Sequence, residues 1–399
     1  MSRNPPVHAL AWAGLVALAI AMGIGRFAFT PLLPMMQKDM GLGLAQGGWL
    51  ASANYLGYFA GALTATYLPW SASTMLRAGL VLVAATTALM GWTQAWSSWV
   101  AWRSIAGVAS AWVLIATASL CLTRLNAAGA SGKAGWVFFG VGSGIALAGL
   151  LCMAADLEGL KASQAWLMLG AVAAIGLFAT YPLWKGATAM PPAHEIMSYQ
   201  GNTAGRHLRL MLCYGLFGFG YILPATFLPA QARALLDDQA LFNLAWPLFG
   251  LAAAVSTLIC SSLLQRFSRR QLWLVAQLLM AIGVALPALA PGLASIVIAA
   301  ICVGGTFMMI TMMGMQQAQA SGGPRGRELM ASVTAVFAGG QLIGPVFFSL
   351  VNEHLGLTLE SSLYIACAAL LAGCLLLLRP FPEYAASPQA GGPADQSAR

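Results

Sequence analysis

The sequence is short of charge. Only 8% of its 399 residues are Asp, Glu, Lys or Arg, against 59% apolar, so it cannot clothe itself in the mixed charged surface of a water-soluble domain. It is shorter still of acid, with eleven Asp and Glu in all. These are Asp39, Asp156, Glu158, Glu195, Asp237, Asp238, Glu328, Glu353, Glu360, Glu383 and Asp395, and each falls between or at the ends of apolar runs. A mechanism that trades a proton for a bound organic cation on a buried carboxylate is therefore disfavoured. The four histidines (His8, His194, His207, His354) also lie outside the runs or at their edges. There is no HExxH, no Ser, His and Asp set within the runs and no nucleotide-binding loop, which argues against a membrane-embedded enzyme. Seven cysteines without CxxC or similar spacing read as buried thiols, so no disulfide framework, metal or cofactor is expected.

What is present in abundance is long apolar segments. Twelve runs fall near 9–36, 46–68, 75–95, 97–122, 135–155, 163–184, 208–231, 240–264, 271–290, 293–317, 330–351 and 358–378, each with the roughly 20 residues a helix needs to cross hydrocarbon. The expected fold class is an all-α membrane protein of twelve transmembrane helices. The first run has few basic residues before it and no small-residue cleavage site, so it is expected to be a retained helix.

The net charge of +8 does not point to nucleic acid, because of where the cations stand. With the amino terminus inside, fourteen Lys and Arg fall in cytoplasmic segments and only Lys38, Lys161 and Arg233 outside. That asymmetry is the positive-inside pattern, and it predicts a membrane protein with both termini in the cytoplasm.

The two halves resemble each other at an offset of 195 residues. "GIGRFAFTPLLP" (23–34) lies over "GFGYILPATFLP" (218–229), and at the same offset Gly144 and Gly149 fall on Gly339 and Gly344. The expected domains are a six-helix bundle over 1–184, a polar cytoplasmic linker over 185–207, a second bundle over 208–378 and a disordered tail over 379–399. Two parallel six-helix repeats are how major facilitator transporters are built. "SSLLQRFSRR" (261–270) resembles that superfamily's loop signature, with Arg266, Arg269 and Arg270 matching its cations, and "RSIAGVASA" (103–111) resembles its fourth-helix pattern. The stretch from Gly23 to Pro34 resembles the bacterial branch labelled YbfB/YjiJ-type. The resemblance implies a secondary transporter, a switching role for the 261–270 loop, and a central cavity lined by the first, fourth, seventh and tenth helices.

Two cations stand inside the apolar runs, Arg26 and Arg103. Each costs about 2.5 to 3.5 kcal/mol on insertion scales, and no acid in the runs is placed to pair with either. An anionic substrate would supply the partner, since guanidinium matches a carboxylate two-pronged. Arg26 is expected as the anion anchor, with Arg103 either a second anchor or a clamp on backbone carbonyls. Tyr221, at the repeat position of Arg26, and Gln341, among glycines in "GGQLIGP", are expected opposing contacts, with Asn54 and Tyr58 as further polar groups. Pro31 and Pro34, and Pro224 and Pro229 in the repeat, remove helical N–H groups and are expected to bend their helices. The expected activity is transport of a small organic anion, with protons, if coupled, carried by Glu328, Glu353 or the substrate itself, by a monomer in the lipid bilayer. An exporter of amphipathic or neutral compounds, with Arg26 structural, stays open as the alternative.

Overall fold

In hydrocarbon every backbone N–H and C=O needs a partner from the protein, and a helix supplies these within one segment. The computed structural model describes residues 6–184, 203–235, 239–355 and 359–384, and these form twelve long helices and no strand. They are α1 (Val7–Met40), α2 (Leu44–Tyr67), α3 (Ala72–Trp92), α4 (Trp96–Ala127), α5 (Ala134–Leu157), α6 (Ala162–Ala179), α7 (Thr203–Leu235), α8 (Gln239–Leu263), α9 (Arg269–Leu289), α10 (Leu293–Gly322), α11 (Gly326–Leu355) and α12 (Leu359–Leu377). Among the described residues, nine stretches are long and apolar enough to cross a membrane, the last of them, Leu293–Pro345, taking in α10 and most of α11. α4 and α10 run five residues past the expected ends, because polar last turns carrying Arg124 and Gln319 stay helical beyond the apolar run.

α1 is not uniform. Val7–Leu18 is α-helical, Ala19–Phe27 is a wider π-helix, and after a turn at Ala28 the α-helix resumes over Phe29–Met40. Pro31 falls in the first turn of that last segment, where a missing N–H costs least, and Pro34 lies inside it. Pro224 and Pro229 sit in α7 without a break in its helix, so the change of helical type belongs to one half alone. The side chain of Pro229 is outside the described residues.

Close approach of helices sets the frame. A Cβ added at Gly144 on α5 would stand 2.5 Å from the Ala19 carbonyl oxygen on α1, and one at Gly107 on α4 would stand 2.8 Å from the Tyr58 nitrogen on α2. The backbones touch because these residues lack side chains. In the second half Gly218 on α7 meets the Phe337 carbonyl of α11 in the same way, and the glycine that packs back is Gly340 rather than the repeat position Gly339.

The halves are joined along α5–α8 and α2–α11. At the end where α6 stops and α7 begins, Thr257 donates to the Gly135 carbonyl (3.1 Å), Gln319 to Thr123 Oγ1 (3.2 Å) and Arg327 to the Trp70 carbonyl (2.7 Å). The start of the tail departs from the expectation of disorder. Phe381 is buried against Trp273, Arg209 lies over its ring, Glu383 pairs with Arg269 at 3.4 Å, and the Tyr384 N–H donates to the Ala320 carbonyl at 2.9 Å. A buried aromatic and an ion pair outweigh the polar composition there. Residues 385–399 and the linker stretch 185–202 lie outside the described residues.

The α1–α5 contact gives a test. Gly144→Val should lower the midpoint of thermal unfolding of the purified protein or prevent its recovery, since overpacking costs about 1–3 kcal/mol. Gly48→Ala, inside α2 where a Cβ meets nothing within 4 Å, should not lower the midpoint and should raise it slightly, since Ala is favoured over Gly in a helix.

Candidate functional site

The π-helical turn of α1 carries Arg26 into the centre of the molecule. Its side chain is 3% exposed. One amino group, Nη2, donates to Oε1 of Gln341 on α11, so a single hydrogen bond spans the two halves at their middle. The guanidinium carbon lies 3.8 Å from the ring centre of Tyr58, with Tyr55 at 5.4 Å and Phe27 at 5.5 Å. Aromatic faces thus meet part of the charge, since a desolvated cation over a ring gains about 2 kcal/mol. Nε and Nη1 of Arg26 have no hydrogen-bond partner, and among the described residues no carboxylate pairs with it.

Arg103 has a different environment. Its two amino groups donate to the carbonyls of Gly25 (3.2 Å) and Arg26 (3.3 Å), and its guanidinium carbon lies 4.7 Å from the ring centre of Phe29. These carbonyls belong to the turn where the π-helix gives way. Arg103 therefore holds α4 to the irregular turn of α1 and does not line the cavity. Asn54 is likewise turned aside, donating to the Arg103 carbonyl at 2.9 Å. Arg103 is thus bonded to the α1 turn, the clamp of its two expected roles, while Asn54, expected as a polar contact, is bonded to the backbone of α4.

The cavity is small, about 20 Å³, room for one or two waters. The first half contributes Arg26, Phe27, Tyr58 and Met22, and the second Tyr214, Tyr221, Phe307, Thr311, Thr334, Phe337 and Gln341. Four of the sequence-derived candidates, Arg26, Tyr58, Tyr221 and Gln341, thus converge on one space. The sequence reading missed the rings. Tyr221 and Phe307 are near parallel at 5.3 Å and 19°, Phe307 and Phe249 at 5.3 Å and 15°, and Phe249 and Trp246 at 5.3 Å and 10°. Phe27 reaches across to Trp246 and Phe307 at 6.4 and 6.3 Å. In sequence such rings are indistinguishable from residues that pack helices together.

The loop cations lie away from this centre. Arg269 donates to Gln317 (2.9 Å) and Glu383, Arg270 donates to the Leu378 carbonyl (2.9 Å), and Arg266 is exposed. The partners named are all in the second half. The methionines of 307–315 are core, with Met308 and Met315 on the cavity wall, and among the described residues no group of His, Cys, Asp or Glu could hold a metal.

Residues 18–378 match the family model described as uncharacterised MFS-type transporter YbfB. The chain belongs to this family. It is therefore a multi-pass membrane transporter of the major facilitator superfamily, not an enzyme. Among solved structures it is similar to the human organic anion transporter MFSD10 (TETRAN), with a TM-score of 0.72 at 15% identity, covering 94% of this chain and 100% of that one. At that identity the likeness shows the fold. No match was found among curated proteins.

Arg103 gives this site's stability test. Arg103→Ala leaves two turn carbonyls of the transporter without their donors and should destabilise it by about 2–3 kcal/mol, read as a lowered unfolding midpoint. Arg103→Lys, with one point charge for two donors, should fall between.

Proposed function

We propose that this transporter moves a small organic anion by alternating access, with Arg26 as the anchor. The observation that carries the proposal is a buried guanidinium at the junction of the halves, facing a cavity, with two nitrogens unpartnered and, among the described residues, no carboxylate paired with it. A charge removed from water without a counter-charge is costly, and an entering carboxylate or similar anion relieves that cost with charge-assisted hydrogen bonds. Nη2 carries two N–H groups and Gln341 takes one of them, so a two-pronged face of the guanidinium stays open to an anion while Gln341 remains bound.

The repeats over 1–184 and 208–378 act in this proposal as the two rocking bodies, joined by the 185–207 linker, with Arg103 keeping the α1 turn rigid and Tyr221 facing the anchor from the second half. The distribution of basic residues supports both termini on the cytoplasmic side of an inner membrane. An anion entering against a negative-inside potential meets about 2.3 kcal/mol per charge per 100 mV, so uptake in this reading is coupled to a co-transported cation such as a proton. The solved relative in fold is described as an organic anion transporter, which agrees with this reading while the arginine carries it.

Uptake of labelled mono- and dicarboxylates into proteoliposomes, with and without a pH gradient, tests the anchor. Arg26→Ala should lower uptake about a hundredfold or more, and Arg26→Lys should recover part of it because charge returns without the fork. Transport equal to the parent in both variants, with both correctly folded, overturns the proposal.

A further inference from the structure

The two walls of the cavity are chemically unlike, and that difference constrains the shape of the substrate. Among the described residues lining the cavity, Arg26 alone is charged. The other buried cation, Arg103, spends its amino groups on the carbonyls of Gly25 and Arg26. One anionic group therefore finds a partner here, and a second would be buried without one.

The opposite wall is aromatic. Tyr221, Phe307, Phe249 and Trp246 are stacked on one another with interplanar angles of 19°, 15° and 10°, and Phe337 lies beside Tyr221 at 26°. These rings come from α7, α8, α10 and α11, all in the second half, whereas the anchor is on α1 in the first. Tyr221, Phe307 and Phe337 bring this aromatic slab to the cavity, and an aromatic body against such rings gains beyond the area it buries. Thr311 and Thr334 spend their hydroxyls on the Phe307 and Met330 carbonyls of their own helices, so the second half presents few free polar groups to a hydrophilic substrate.

Resting on the anion-anchor reading, we infer that the substrate is a monocarboxylate with a flat, ring-bearing apolar body, its carboxylate on Arg26 of the first half and its ring against the Tyr221–Phe307 face of the second. The cavity, at about 20 Å³, widens to admit such a molecule as the halves part, and the molecule then meets charge on one side and aromatic rings on the other. Dicarboxylates, phosphate and short hydrophilic acids satisfy only the anchor. A neutral aryl amide satisfies only the slab.

Ligand-induced stabilisation of the purified full-length transporter, followed by counterflow in proteoliposomes, tests this without knowledge of the coupling ion. The probes are benzoate, 2-naphthoate and indole-3-acetate against succinate, inorganic phosphate, acetate and 2-naphthamide. The aryl monocarboxylates should act at concentrations about tenfold or more below the others. Phe307→Leu should erase that preference while Phe307→Tyr keeps it. Phe249→Leu, which alters the slab away from the lining residues, should weaken naphthoate more than benzoate and serves as a second variant should Phe307→Leu fail to fold. Arg26-dependent action of succinate, phosphate or acetate equal to or better than that of the aryl acids overturns this inference and leaves the anion anchor standing. Equal action of 2-naphthamide and 2-naphthoate, unaffected by Arg26→Ala, overturns both. No action by any aryl monocarboxylate overturns this inference.

Discussion

A guanidinium sits where hydrocarbon surrounds the protein, and no carboxylate among the described residues pairs with it. Much of the centre is arranged around that fact. The π-helical stretch of α1 delivers Arg26 to the middle of the molecule. The rings of Tyr58, Tyr55 and Phe27 meet part of its charge, and Gln341 takes one of its N–H groups from the other half. None of these partners is an anion. The site is stable enough to form and incomplete enough to bind, which is the condition a transporter needs of a binding centre that must also release.

The second arginine shows how the first is held. A π-helix flanked by prolines leaves carbonyls without their usual donors, and Arg103 covers two of them. Its charge is committed to backbone, so it stiffens the turn that aims Arg26. Two buried cations that look alike in sequence thus divide the work: one fixes geometry and the other faces the cavity. The glycine contacts between α1 and α5 and between α2 and α4 support the same turn from behind.

Much of this was legible in the sequence, for physical reasons. The apolar runs show because hydrocarbon demands about 20 residues per crossing, and the repeat shows because glycines at close contacts admit no substitute. Arg26 and Gln341 stand out as polar residues in apolar runs. Three things were hidden. The direction of Arg103 depends on which carbonyls the π-helix exposes, and that irregularity has no periodic signature. The slab of Tyr221, Phe307, Phe249 and Trp246 is assembled from three helices, and each ring alone resembles ordinary packing. Phe381 lies in a stretch rich in Pro and Ala, where only contact with Trp273 and Arg209 marks it as bound.

The central claim is that an anion completes the hydrogen bonding of Arg26. A structure of the transporter determined with a transported carboxylate bound tests it most directly. The account predicts both carboxylate oxygens on N–H groups of the Arg26 guanidinium. A carboxylate seated elsewhere, with Arg26 left without an anion, would contradict it.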